Sequence, residues 1–164
     1  MHVSKVNPVP EGARTVTPHL VVKGAMQAIE FYKKAFGAIE HFHMPGPGGA
    51  VMHAEIQIGD SLVYLADEFP NSVQAPATLG GTSVVIHLYV EDADATFKQA
   101  VAAGADVRFP VMDTFWGDRY GQVADPFGHT WAIATHVKDM TPEEIGAAAE
   151  EFMKNMGEEC GGQG

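Results

Sequence analysis

The sequence predicts an α+β protein made of two βαβββ modules followed by a C-terminal helix, and two observations carry this prediction. Residues 16–22 (VTPHLVV) return as residues 84–90 (VVIHLYV), and each copy runs into an alanine-rich amphipathic helix that ends in Gly-Ala. Three short strand patterns then follow each helix. Because two repeats are too few for a solenoid, we expect the copies to share one core and to leave a cleft between them.

Module one is predicted over residues 15–67. A strand at residues 14–23 precedes a helix at residues 25–36, whose apolar residues recur at the spacing of one helical face and which ends at Gly37. Three short strands follow, at residues 39–44, 51–58 and 61–67. Residues 68–82 contain Pro, Gly and Ser without a clear period and are predicted to form the linker.

Module two is predicted over residues 83–137 and repeats the same order. A strand at residues 83–90 precedes a helix at residues 92–103, with Gly104 as its end. Three strands follow, at residues 107–112, 119–124 and 130–137. The DPFG sequence at residues 125–128 has the Asp, Pro and Gly placements of a type I turn, which predicts a hairpin between the last two strands.

Both ends of the chain lie outside the two modules. Residues 1–14 are predicted to be an N-terminal extension, and residues 141–157 a C-terminal helix. The helix opens with a capping box formed by Thr141 and Glu144, and a flexible, Gly-rich tail is expected at residues 158–164. The helix also carries an apolar stripe that needs a partner, which is either its own sheet or another subunit.

Composition excludes several classes of protein. The net charge of −11 argues against nucleic acid, because binding to phosphates needs a basic face. The apolar runs fall short of the roughly 20 residues that a membrane helix needs, so no membrane contact is expected. No hydrophobic signal core is visible at the N-terminus, which predicts a cytoplasmic protein. The single cysteine, Cys160, leaves neither a disulfide nor a thiolate metal cluster to consider.

Four segments carry a family resemblance: TPHLVVKGAMQAIEFYKKAFGA, MHAEIQIGDSLVYLADE, LYVEDADATFKQAVAAGA and FWGDRYGQVADPFGHTWAIATH. In this order they resemble the vicinal oxygen chelate superfamily, which includes glyoxalase I, extradiol dioxygenases and bleomycin-resistance proteins. Within it the chain looks most like the PhnB-like subgroup. The resemblance implies a rolled mixed sheet with a ligand held inside the roll, and a homodimer.

Strand alternation tells which side chains face that cleft. It puts His19 on one face of the first strand and His87 on the same face of the repeated strand, with the more apolar residues turned to the helices. Trp116 and Arg119, in the segment FWGDRYG, are suited to clamp a small anionic or aromatic ligand. The predicted ligand-binding residues are His19, Tyr64, His87, Tyr89, Trp116 and Arg119.

The resemblance also bears on metal binding. Metal-using members take one His, Glu or Gln ligand from each of four strands, and alignment puts those positions at Thr17, Tyr64, Val85 and Ala132. Because none of these is a carboxylate or an imidazole, we expect no metal of the usual kind and no cofactor. His19 and His87 lie one pleat repeat further on, and three roles stay open for them: an atypical metal site, work on a ligand, or structure.

No catalytic or ligand-binding role is predicted for the remaining histidines. Residues 51–58 read as a half-exposed strand, and surface or structural roles are expected for His41, His43, His129 and His136.

The function expected from the sequence is small-molecule binding in the cleft, without the usual metal. Two alternatives stay open: a metal-dependent lyase or dioxygenase with unconventional ligands, and a metal-free enzyme that uses His19 or His87 with Arg119. Nucleophile elbows, phosphate-binding loops and dinucleotide fingerprints are absent from the sequence, and catalytic residues stay unassigned.

Overall fold

The structure is a computed structural model that describes residues 6–160, with the side chains of residues 157–160 excepted. It confirms the α+β class and the two βαβββ modules. Module one comprises β1 (His19–Val22), α1 (Ala25–Phe36), β2 (Ile39–Pro45), β3 (Val51–Ile58) and β4 (Ser61–Asp67). Module two comprises β5 (Val85–Tyr89), α3 (Ala93–Ala103), β6 (Asp106–Asp113), β7 (Asp118–Ala124) and β8 (Thr130–His136). The short α2 (Pro76–Leu79) lies between the modules, and α4 (Pro142–Cys160) follows them.

The first strand is shorter than the sequence predicts, since it begins at His19 and not at residue 14. Pro18 has no amide hydrogen, so it only accepts a bond, from the Tyr64 amide at 2.9 Å. The helix α2 was not predicted, because four residues are too few to show a helical period. Within residues 6–160, no helix is long and apolar enough to cross a membrane.

The C-terminal helix begins as predicted and ends later. The Thr141 hydroxyl accepts a bond from the Glu144 amide at 3.2 Å, and the Glu144 carboxylate accepts one from the Thr141 amide at 2.8 Å, which is the capping box. Gly157 does not end the helix, which continues to Cys160, because a glycine weakens a helix by about 1 kcal/mol without forcing it to stop. Residues 161–164 of the predicted tail lie outside the described residues.

The two modules form two separate sheets with the same topology. The strand order is β1-β4-β3-β2 in one sheet and β5-β8-β7-β6 in the other, with one parallel pair in each. His19 lies opposite Tyr64 in the first parallel pair, and His87 lies opposite Ala132 in the second. The internal repeat is therefore preserved down to the register of individual residues.

The core lies on the helix side of each sheet. Leu20 and Val22 of β1 turn to α1, and α1 packs against α3, which joins the two modules. Both helices end as predicted, at Gly37 and Gly104, which adopt left-handed backbone conformations that glycine enters without strain.

A buried carboxylate fixes this arrangement. Asp125, only 3% exposed, accepts bonds from the Tyr32 hydroxyl at 2.6 Å and from the Trp131 indole at 2.8 Å. Its other oxygen accepts the amides of Phe127 and His129, both at 2.9 Å, and so closes the predicted DPFG turn. Tyr32 belongs to α1 of module one, and the rest belong to module two. One side chain thus ties the hairpin, the core and the contact between modules together.

We predict that Asp125→Ala destabilises the protein by roughly 3 kcal/mol, because the buried Tyr32 hydroxyl and Trp131 indole lose their acceptor. Urea denaturation followed by circular dichroism measures the change. Asp60→Ala, at an exposed turn, is the matched control and is expected to change stability by less than about 0.5 kcal/mol. Equal stability of the two variants would contradict the role given to Asp125.

Candidate functional site

The face of module one that is turned away from its helix carries a ring cluster. His19 from β1, His53 from β3 and Tyr64 from β4 meet there. The His53 and Tyr64 ring centroids are 4.9 Å apart, and the His19 centroid is 6.0 Å from that of His53 and 6.2 Å from that of Tyr64. We call this surface, with Phe42 of β2, the module-one open face.

His53 and Glu55 were not predicted to take part in the site, and their strand was given no chemistry. The structure places both on the same face as the ring cluster, because cross-strand register puts Glu55 opposite Tyr64, while His53 lies 3.4 Å from the Glu55 carboxylate. Partial burial lowers the pKa of His19 below its ordinary value of 6.5, and the neighbouring His53 makes a smaller contribution in the same direction. His19 is therefore a neutral imidazole at pH 7, able to accept or donate a hydrogen bond.

Module two presents the equivalent surface, which we call the module-two open face. Its rings come from His87 and Tyr89 of β5 and from Tyr120 of β7. The His87 centroid is 4.6 Å from that of Tyr89 and 5.8 Å from that of Tyr120. Trp116 extends the surface, with its centroid 5.6 Å from that of Tyr120. These rings form a nearly continuous aromatic wall.

A buried carboxylate stands at one end of that wall. Asp118, 3% exposed, accepts the Tyr89 hydroxyl at 2.9 Å and the Trp116 indole at 3.1 Å on one oxygen. Its other oxygen lies 2.8 Å from His136 Nδ1, and His136 Nε2 lies 2.9 Å from Asp139. Burial by itself raises the pKa of Asp118, but the bonds from His136, Tyr89 and Trp116 outweigh it and hold that pKa below its usual value.

The sequence analysis predicts a surface or structural role for His136 and does not include Asp118 among the cleft residues. Alternation along β8 places His136 on the same side as Ala134, and counting back by two from Tyr120 along β7 places Asp118 there too. The signal was present in the strand period, but it needed the register to join the two residues.

The structure places Arg119 away from the other residues that were predicted to bind a ligand. It was predicted to clamp a ligand, but it lies on the helix side of β7. Its guanidinium binds Asp94 of α3 with two bonds, at 2.7 and 2.9 Å, and Asp113 of β6 at 3.3 Å. With its donors occupied by carboxylates and its face opposite to that of Asp118 and Tyr120, Arg119 holds α3 against the sheet.

The four positions that the family alignment assigns to metal ligands do not lie in one row across β1, β4, β5 and β8. Thr17 lies before β1, and Val85 pairs with Thr130, so alignment on sequence motifs does not give one row. The rows that the structure forms are His19 with Tyr64 and His87 with Ala132. Among the described residues, no three His, Cys, Asp or Glu side chains lie close enough together to hold a metal ion.

The predicted cleft residues form two groups within one chain and not one. His19 and Tyr64 lie on the module-one open face, while His87, Tyr89 and Trp116 lie on the module-two open face. Both faces expose large apolar side chains: Ile39, Phe42 and Met44 in module one, and Val85, Tyr89, Phe109 and Met112 in module two. Exposure on this scale is typical of surfaces that pack against another chain or a ligand.

Comparison with known proteins gives a consistent result. The family model "Glyoxalase/Bleomycin resistance protein/Dioxygenase superfamily" matches residues 13–133. Uncharacterized protein Rv0887c of Mycobacterium tuberculosis is 47% identical over 137 residues, which cover 81% of each chain. The X-ray structure of the At5g48480 product of Arabidopsis thaliana is 32% identical, with a TM-score of 0.61, over 74% of this chain and 98% of that one. The PhnB protein of Bacillus cereus, at 19% identity and a TM-score of 0.56 over 74% and 99%, shares the fold.

We predict that the contribution of His136 to stability falls as the pH rises above about 6.5. The bond to Asp118, followed by that to Asp139, raises the pKa of His136 in the folded protein above its ordinary value of 6.5. The stabilising charge is fully present below the unfolded pKa and is lost as the pH passes through the raised folded pKa. Urea midpoints between pH 5.5 and 9 measure it. A His136→Gln variant with the same pH dependence as the wild type would contradict the assignment.

Proposed function

The chain belongs to the glyoxalase/bleomycin resistance protein/dioxygenase superfamily, and from this premise we propose that it binds a small molecule in a cleft completed by a second copy of the chain. The observation that carries the proposal is the pair of exposed ring-lined faces, one on each module. Each face is half of a ligand site, because an open surface does not exclude water from a small molecule as a closed pocket does.

Symmetry supports a homodimer as the means of closing the site. If the module-one open face of one protomer packs over the module-two open face of the other, a two-fold axis produces the reverse contact at the same time. Two identical clefts result, and the exposed apolar residues of both faces become buried. Phe42 and Phe109 contribute to that burial, since each is a large apolar ring with roughly half of its surface exposed.

The side chains on the two faces indicate the class of ligand. Rings dominate both faces: Tyr64, His53 and His19 on one, and Tyr120, Tyr89 and His87 on the other. Flat rings bind other flat rings by stacked or edge-to-face contact. The carboxylates on these faces include Glu55 and Asp118, so the proposed ligand is a planar aromatic molecule that is neutral or positively charged.

A metal-dependent enzyme is the second candidate, because the register puts His19 and His87 in equivalent rows. In the proposed dimer one imidazole would come from each protomer, with the Tyr64 hydroxyl beside them. Glu55, which lies opposite Tyr64, adds a carboxylate to the first row, but the row of His87 and Ala132 has none. The proposed site would therefore offer a divalent ion two imidazoles and a single carboxylate. The metal-free enzyme loses its expected partner, since Arg119 lies on the other side of the sheet.

We predict that the protein is a dimer at micromolar concentration and that Phe42→Asp or Phe109→Asp converts it to a monomer, because a charge would be buried in the interface. Size-exclusion chromatography with light scattering measures the mass. Val101→Asp, at an exposed position on α3 away from both faces, is the control and is expected to remain a dimer. A monomeric wild type would overturn the dimer, and a monomeric control would remove the meaning of the two face variants.

We also predict that the wild type binds planar rings, with one ring per cleft, and prefers 9-aminoacridine, a cation, over acridone and over 9-anthracenecarboxylate. Tyr120→Ala should weaken binding about tenfold, because it removes one wall of the ring contact. Isothermal titration measures both. Flat titrations with all three rings would sink the binding function, and glyoxalase turnover that depends on added nickel or zinc would establish the metal enzyme instead.

A further inference from the structure

Two buried aspartates in this chain each accept hydrogen bonds from one tyrosine hydroxyl and one tryptophan indole, but the two groups lie in different surroundings. Asp125 accepts Tyr32 and Trp131 on its Oδ2 atom, and Asp118 accepts Tyr89 and Trp116 on its Oδ2 atom. Both carboxylates are 3% exposed. The chain therefore contains an internal comparison between one constellation in the core and one at the surface.

What differs is the burial of the donors. Tyr32 and Trp131 are fully buried, so Asp125 satisfies groups that would otherwise be unpaired in the core. Tyr89 is 65% exposed, and water could satisfy its hydroxyl without any help from the protein. A buried carboxylate that holds an exposed ring adds little to the core. Its effect is to fix where that ring points.

Tyr89 and Trp116 are held at two points of the same wall. Tyr89 lies beside His87, with ring centroids 4.6 Å apart, and Trp116 lies edge-on to Tyr120 at 5.6 Å. Asp118 connects these two pairs through one oxygen atom. The carboxylate thus sets the spacing of rings that come from β5 and from the segment before β7.

The cluster of Asp118, His136 and Asp139 carries a net negative charge. Asp118 and Asp139 flank His136, so two carboxylates face one imidazolium when His136 is protonated, and the group keeps a negative charge. A negative group behind the Tyr89 and Trp116 rings favours a cation over their faces and disfavours an anion.

We propose that Asp118 is a positioning residue that fixes Tyr89 and Trp116 as one end of the ligand cleft and makes that end selective for a positively charged planar ring. This inference rests on the proposed ligand-binding function and deepens it. Asp118 does not touch the ligand: it acts through the two rings that it holds.

The test uses the full-length protein and its two tryptophans, which give two indole signals in a proton–nitrogen correlation spectrum. Trp116→Phe assigns them. Asp118→Asn removes the negative charge and leaves one accepting oxygen where the carboxylate has two, so the bond to Trp116 is weakened or lost, and the Trp116 indole signal should move and exchange faster with water. The Trp131 signal, which reports on the core through Asp125, should stay in place. Asp113→Asn, on the neighbouring strand and exposed, is the matched control and should move neither signal.

Titration with the two acridines completes the test. Asp118→Asn should weaken 9-aminoacridine about tenfold and acridone less, so that the preference for the cation shrinks. Tyr89→Phe, which keeps the ring and removes only its hydroxyl, should show a smaller loss in the same direction. If Asp118→Asn fails to fold, the affinity of Tyr89→Phe for 9-aminoacridine tests the positioning role by itself.

Three outcomes would overturn the inference, and they are distinguishable. If the wild type binds neither ring, this proposal and the proposed function both fall. If the wild type binds and both Asp118→Asn and Tyr89→Phe bind 9-aminoacridine as tightly, only the positioning role falls. If the Trp131 signal moves together with that of Trp116 in Asp118→Asn, the carboxylate acts on the fold and not on the cleft.

Discussion

The rest of the structure depends on the bonds to the Asp125 carboxylate, because they connect the two copies of the repeat. Each βαβββ module could form its own sheet, but neither sheet by itself covers both sides of its helix. Asp125 accepts the Tyr32 hydroxyl from module one while it closes its own hairpin turn in module two. Burial, and after it the Asp125 charge, raise the pKa of Tyr32, so the hydroxyl remains a donor. With α1 locked against module two, both open faces are left outside the shared core.

The two copies of the repeat differ on their open faces and agree at the starts of their helices. At the start of α1 the Asp67 carboxylate accepts the amides of Gly24 and Ala25, at 2.7 and 3.0 Å. At the start of α3 the Thr135 hydroxyl accepts the Ala93 amide at 2.8 Å. Asp67 and Thr135 occupy equivalent positions in the two modules, and each accepts a hydrogen bond from the first amide of a helix. On the open faces, by contrast, module one carries two imidazoles and one tyrosine, and module two carries one imidazole, two tyrosines and a tryptophan, so the proposed cleft would have two unlike sides.

The sequence predicted the fold well because periodicity and turn chemistry are local. It gave α1, β3 and β4 with the bounds observed, and it placed His19 and Tyr64 on one face. The site was predicted less well because it depends on register, which residue spacing does not reveal. His53 joins the first cluster only through cross-strand pairing, and Arg119 was assigned to the wrong face because adjacent residues on a strand point in opposite directions.

The charge on the two faces follows from the neighbours of their histidines. Burial and the nearby His53 lower the pKa of His19, while carboxylates on both sides raise that of His136. The carboxylates beside the rings are Glu55 on the module-one open face and Asp118, with Asp139 beyond it, on the module-two open face. A ligand in the proposed cleft would meet rings along most of its length and the buried Asp118 carboxylate behind the rings at one end. Such a gradient orients a flat molecule with one positively charged end, because only one of its two orientations places the cation beside the carboxylate.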